Sequence, residues 1–245
     1  GDMELRLFDK ETQTYYNLLQ TKRGKRTLTA DEEQQLFALS KQENDLAENV
    51  RNRIYGMATK QEKKQFVDDL YSTNGRKNNF VKKTYVANYN IDEEDFHLDI
   101  RFLDGRDYEG EVDLLVGGSP CQAFSSVGAK NGLDDTRGTL FYEFARIISE
   151  TKPKVFIYEN VRGLTTHDNG KTWEMIKHIF TDVLHYNISE PQILNAADYG
   201  IPQTRRRLFV VGIRKDLKHE ELVFPPQNKE LRYVAQDFLI ESYVN

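Results

Sequence analysis

From about residue 80 onward, short apolar runs alternate with amphipathic stretches, and this alternation most restricts what the chain can become. The apolar runs are "VDLLVGG" (112–118), "KVFIYEN" (154–160), "PQILNA" (191–196) and "RLFVVGI" (207–213), and the amphipathic stretches are "TLFYEFARIISET" (139–151) and "KTWEMIKHIFTDVL" (171–184). Strands separated by helices imply an α/β fold, a sheet with helices packed on both faces. In such sheets chemistry gathers beyond the carboxyl ends of the strands. The first run passes directly into "SPCQAFS", which holds the only cysteine, Cys121, and the second ends on Glu159-Asn160.

The first third reads differently. Thr29-Ala-Asp-Glu32 and Thr59-Lys-Gln-Glu62 both match the capping box, in which Thr and Glu side chains reciprocally satisfy backbone N–H groups at a helix start. After the first box, Leu36, Leu39, Leu46, Val50 and Ile54 form one helical stripe, and Gly56 is a natural terminator. Phe66, Val67, Leu70 and Tyr71 repeat the pattern before Asn74-Gly75. The expected organisation is a helical segment over 1–79, a catalytic core over 80–225, and a region over 226–245 leading towards a further domain. The "KRGKR" at 22–26 is read as solvated loop charge. The leading Gly1-Asp2 reads as an expression scar.

The 245 residues carry a net charge of −5, and the acidic excess lies after residue 79. Phosphate binding normally leaves a basic footprint, so any nucleic acid must be held by local patches or by something outside these residues. No apolar run approaches the ~20 residues that cross a bilayer, and a cytoplasmic location without membrane association is expected. One cysteine and five scattered histidines do not suit a metal site, and none is expected.

A lone cysteine is more often a small buried hydrophobe than a reactive group. Against that, Gly117-Gly118 suits a tight turn, Pro120 stiffens the approach, and Gln122, Ser125 and Ser126 are too polar for a dry core. A hydrolase elbow fails because Cys stands at 121 where Gly-x-Ser-x-Gly needs glycine, and a thiol protease lacks a histidine of distinctive context. Glu159 is costly at the end of an apolar strand unless paired or used. The run "QTRRR", Gln203 to Arg207, is either surface charge or a set of guanidinium grips for phosphate and base oxygens.

Together these segments resemble the DNA (cytosine-5) methyltransferases of bacterial restriction-modification systems. Pro120-Cys121-Gln122 is similar to the family's nucleophile motif, Glu159-Asn160-Val161 to its Glu-Asn-Val motif, and Gln203-Thr-Arg205-Arg-Arg207 to its Gln-x-Arg-x-Arg motif. "DDTRGTLFYEFARII", "HDNGKT" and "LNAADYGIPQTRRR" resemble the intervening segments over roughly residues 80–240. The resemblance implies an incomplete Rossmann-like, S-adenosylmethionine-dependent methyltransferase sheet. It also implies attack of Cys121 on carbon 6 of cytosine, a contact from Glu159 to ring nitrogen 3, and stabilisation by Arg205 and Arg207. Gln122, Ser125, Asn160 and Gln203 would support the site, and Asp99, Ile100, Ser119, Pro120 and Leu140 would meet S-adenosylmethionine. The partner would be double-stranded DNA, and the loop at 125–138, with Gly128, Gly132 and Gly138, would close over a flipped base.

Family members open with a Phe-x-Gly-x-Gly cofactor loop, yet none of the fifteen glycines here forms Gly-x-Gly. Residues 226–245 are expected to lead towards a target-recognition domain that would begin at about residue 245. Two readings of different class follow: a catalytic segment, with a complementing chain supplying the cofactor loop and target recognition, or a non-catalytic remnant serving as a binding module.

Overall fold

The computed structural model describes residues 7–25, 28–74, 80–89, 91–119, 140–218 and 222–227. The chain packs into two units, Gly1–Asp107 and Tyr108–Asn245. The division in packing therefore lies further along than the change of sequence pattern near residue 80.

The first unit is helical: α1 (Lys10–Lys25), α2 (Ala30–Tyr55), α3 (Lys60–Asn74) and α4 (Phe80–Asn88), followed by 3-10 turns at Glu93–Asp95, Ile100–Phe102 and Gly105–Tyr108. Both capping boxes form. Thr29 Oγ1 accepts from Glu32 N while Thr29 N donates to the Glu32 carboxylate, and Thr59 and Glu62 repeat the exchange at 3.2 Å in both directions. Gly56 closes α2 through its N–H to Arg53 and Ile54 carbonyls. Of the stripe on α2, Leu36 and Ile54 are buried, each in a different small core. One holds Phe8, Tyr16, Leu19, Leu28 and Leu36, and the other Ala47, Ile54, Val67, Tyr71 and Phe102. Helix α1 carries no capping box; Asp9 starts it, its carboxylate accepting from the N–H groups of Glu11 and Thr12 at 3.0 Å. The chain at 22–25 is consequently helix rather than loop, and Lys22 pairs with Glu32 at 2.8 Å.

The second unit is the α/β part, a mixed sheet with packed helices. It contains β1 (Leu114–Gly118), α5 (Leu140–Thr151), β2 (Val155–Val161), α6 (Lys171–His178), β3 (Tyr186–Ile188), β4 (Gln192–Asn195) and β5 (Arg206–Arg214). The sheet runs β1-β2-β5-β3 with β4 also on β5; β1 and β2 are parallel, and β5 is antiparallel to β2, β3 and β4. Helix α6 stops at His178 and continues as a π turn, Ile179–Val183, so the stretch expected as one helix ends in a wider coil. Strand β3 has no apolar run of its own and rests on three residues paired with β5.

Period-two alternation places the core. Phe156 and Tyr158 of β2 and Leu208 and Val210 of β5 point to one face, where Phe141, Phe144, Ala145 and Ile148 of α5 and Trp173 and Ile176 of α6 cover them. On the edge strand β1, Leu115 joins this core, whereas Leu114 and Val116 are exposed on the other side. No helix of the described residues is long and apolar enough to cross a membrane.

Candidate active site at the strand ends

Because β1 and β2 are parallel, their carboxyl ends lie together, with Gly118 opposite Glu159. Because β5 runs antiparallel to β2, its first residues reach that same end, Arg207 opposing Val161. The exit of β1, the end of β2 and the start of β5, far apart in sequence, thus meet at one rim.

Gly117 and Gly118 are strand residues, not a turn, which corrects the role expected of them. What they supply is close approach. A Cβ on Gly117 would stand 2.7 Å from the Phe144 ring, and one on Gly118 would stand 2.3 Å from the Glu159 carbonyl oxygen and 3.1 Å from its carboxylate. Only glycine lets β1 run this close to Glu159.

The Glu159 carboxylate meets Arg207 Nε at 3.0 Å, with side-chain exposures of 36% and 26%. Pairing explains how a carboxylate is tolerated at the end of an apolar strand, and partial exposure leaves both groups within reach of a ligand. Asn160 turns to the buried face: its Nδ2 donates to the Ser119 carbonyl and to the Tyr158 hydroxyl, each at 2.8 Å, and its Oδ1 accepts from Val161 N at 2.8 Å. Arg205 is exposed, and its backbone is clamped, N–H to Asn195 Oδ1 and carbonyl from Ala196 N, both at 3.1 Å. Gln203 N donates to the Ile201 carbonyl at 2.7 Å.

Cys121, Pro120, Gln122 and Ser125 lie outside the described residues, as do Gly128, Gly132, Gly138 and residues 228–245; Ser119, two places before the cysteine, is described and buried. Leu140 opens α5 with its side chain 42% exposed. Asp99 and Ile100 belong to the first unit, where the Asp99 carboxylate accepts from Tyr71 Oη at 2.5 Å and from Arg101 at 2.8–3.2 Å. Among the described residues no cluster of His, Cys, Asp and Glu could hold a metal ion.

Sequence reasoning missed one participant, Tyr158. The signal was available: along β2 the buried face reads Phe156, Tyr158, Asn160, so two of three consecutive core positions are polar. An interior tyrosine beside an interior asparagine needs partners.

The fold and the rim define an α/β protein with a carboxylate–guanidinium pair at its strand ends. The family of C-5 cytosine-specific DNA methylases matches residues 56–243, and the chain belongs to it. Type II methyltransferase M.Eco47II of Escherichia coli is 54% identical over 119 residues, covering 49% of this chain and 28% of that protein. Type II methyltransferase M1.ScrFI of Lactococcus lactis subsp. cremoris is 46% identical over 168 residues, covering 68% and 41%. The chain thus matches less than half the length of these relatives. Among solved structures, the methyltransferase EhMeth of Entamoeba histolytica aligns with a TM-score of 0.45 at 21% identity, over 62% of this chain and 47% of that one.

Proposed function

We propose that this chain is the catalytic segment of an enzyme that methylates carbon 5 of cytosine in double-stranded DNA, in a modification system of the restriction-modification kind. The observation that carries this reading is the Glu159–Arg207 pair at the strand ends, in register with the strand that leads into Cys121.

The chemistry accounts for the residue types. Carbon 5 of cytosine is too weak a nucleophile to accept a methyl group directly. A thiolate from Cys121 adds to carbon 6, electrons move into the ring, and carbon 5 becomes enamine-like. A free thiol has a pKa of about 8.5, so its loop must favour the anion, and neighbouring guanidinium groups would do so. With ring nitrogen 3 protonated or hydrogen-bonded, the role given to Glu159, electron density is drawn away as the thiolate adds. Arg207, already against Glu159, and Arg205 offset the charge that develops at the cytosine O2. Carbon 6 is stacked inside a duplex, so the base must be flipped out first.

S-adenosylmethionine, when bound, would supply an electrophilic methyl group to carbon 5 and leave as S-adenosylhomocysteine; loss of the carbon 5 proton to solvent base then restores the ring double bond and expels the Cys121 thiolate. The residues proposed for one side of its site are Leu140, exposed and able to offer an apolar contact, and Ser119, just beyond β1. The Asp99 carboxylate is already bonded to Arg101 and Tyr71, and the sequence has no Gly-x-Gly, so the glycine loop is proposed to come from a complementing polypeptide or from chain beyond these residues.

The test is methyl incorporation into unmethylated genomic DNA from tritiated S-adenosylmethionine, by the chain joined with the polypeptide that supplies the glycine loop, with Cys121 intact and with Cys121→Ala. Incorporation at carbon 5 of cytosine is expected, and none from the alanine variant. Transfer that survives Cys121→Ala would overturn the mechanism.

A further inference from the structure

Tyr158 is wholly buried on β2, within the aromatic layer formed with Phe141, Phe144 and Phe180, whose ring centroids lie 5.9, 5.4 and 5.5 Å away. A phenylalanine would fill that space without taking a hydroxyl out of water. The hydroxyl is therefore kept for what it touches, namely Ser119 Oγ at 2.8 Å and Asn160 Nδ2 at 2.8 Å. Asn160 Nδ2 also holds the Ser119 carbonyl at 2.8 Å, and its amide is oriented by Val161 N. Ser119 is thus tethered at both its side-chain and its main-chain oxygen. The three neighbouring rings restrict movement of the tyrosine.

We infer that Tyr158 is a positioning residue for the nucleophile: its core-anchored hydroxyl, acting with Asn160 on Ser119, fixes the point from which the chain continues to Pro120 and Cys121. This rests on the reading of Cys121 given above. Its consequence is nevertheless measurable on the thiol itself, without methyl transfer. A purely structural role would also keep the buried polar groups satisfied, but it would leave the cysteine indifferent to the tyrosine hydroxyl.

The sole cysteine makes the experiment clean. The rate of alkylation by iodoacetamide is followed against pH in the full 245-residue chain and in Tyr158→Phe, Ser119→Ala, the double variant and Ile176→Val, with melting temperature measured for each. Loss of one buried hydrogen bond is expected to slow alkylation at pH 7 about fivefold in Tyr158→Phe and in Ser119→Ala. Their midpoints should move up towards about 8.5, and the double variant should be no slower than either single one. Ile176→Val thins the same core and is not one of the rings packed on Tyr158, so it should melt earlier yet alkylate as wild type does. An unchanged or faster rate in Tyr158→Phe and Ser119→Ala, or equal slowing in Ile176→Val, would overturn the inference. Methyl transfer persisting in Cys121→Ala would instead overturn the nucleophile assignment and leave the alkylation result standing.

Discussion

Glu159 and Arg207 form a diagonal pair across antiparallel β2 and β5, Glu159 lying opposite Phe209 and Arg207 opposite Val161, with Oε1 and Nε 3.0 Å apart. Cross-strand diagonals of this kind are within reach of long side chains. With about a third and a quarter of the two side chains exposed, the pair contributes at most about 1 kcal/mol to folding. If it is retained for chemistry, removing either charge should separate stability from activity. Glu159→Gln and Arg207→Gln are expected to change the unfolding free energy in urea by less than about 1 kcal/mol. Methyl transfer should fall by at least about a hundredfold. A loss of several kcal/mol with activity preserved would make the pair structural.

Gly118 offers a steric test of the same rim. A methyl group there meets the Glu159 backbone carbonyl at 2.3 Å, and a backbone atom in a paired strand cannot swing away as a side chain can. Gly118→Ala should cost about 1–3 kcal/mol. Gly163, whose added Cβ meets nothing within 4 Å, is the control, and Gly163→Ala should stay within about 0.5 kcal/mol of wild type. Urea denaturation of the two variants compares them directly.

The four apolar runs became strands and both Thr-Glu boxes became helix starts, because these features report on local chemistry that the chain carries with it. Helix α1 and strand β3 were not legible in the same way. The first lacks a capping box and is started by Asp9, and the second is three residues long and exists only because β5 offers an edge. At the site, Glu159, Asn160 and Arg207 could be named from the resemblance, but their geometry depends on strand register. Gly117-Gly118 suggested a turn, since glycine pairs often make one, and the need for close approach to Phe144 and Glu159 could not be seen without the neighbouring elements. Tyr158 was overlooked for a similar reason: an aromatic in an apolar strand reads as core until its hydroxyl is found against Ser119.

The capping box at Thr29 should behave as a local stabiliser of the first unit. Thr29→Ala removes the acceptor for Glu32 N and leaves that donor to water. The expected cost is about 1 kcal/mol. Amide hydrogen exchange should quicken at Glu32 and its neighbours in the first turn of α2, while the amides of β2 and β5 in the other unit keep wild-type protection.

Asp104 should make the first unit acid-sensitive. Its side chain is 1% exposed, and burial by itself would raise its pKa. Hydrogen bonds from Arg106 and Lys63, with the charges of both, outweigh burial and hold it at about 2, below the ordinary 3.8. A carboxyl whose pKa is depressed on folding stabilises the folded state above its unfolded pKa and loses that contribution as pH falls through the folded value. The window is therefore about pH 4 to 2, and the depression from 3.8 to about 2 is worth about 2 kcal/mol. Asp9, Asp182 and Asp216 are lowered too, so acid will weaken the chain through several groups. Comparison of wild type with Asp104→Asn in urea between pH 6 and pH 2 isolates this one. At pH 6 the asparagine variant should be less stable by about 3 kcal/mol, the lower end for a broken buried pair, because Lys63 retains Asp107 at 2.7 Å. As pH falls to 2 the two stability curves should converge; parallel curves would show that Asp104 is not the titrating group.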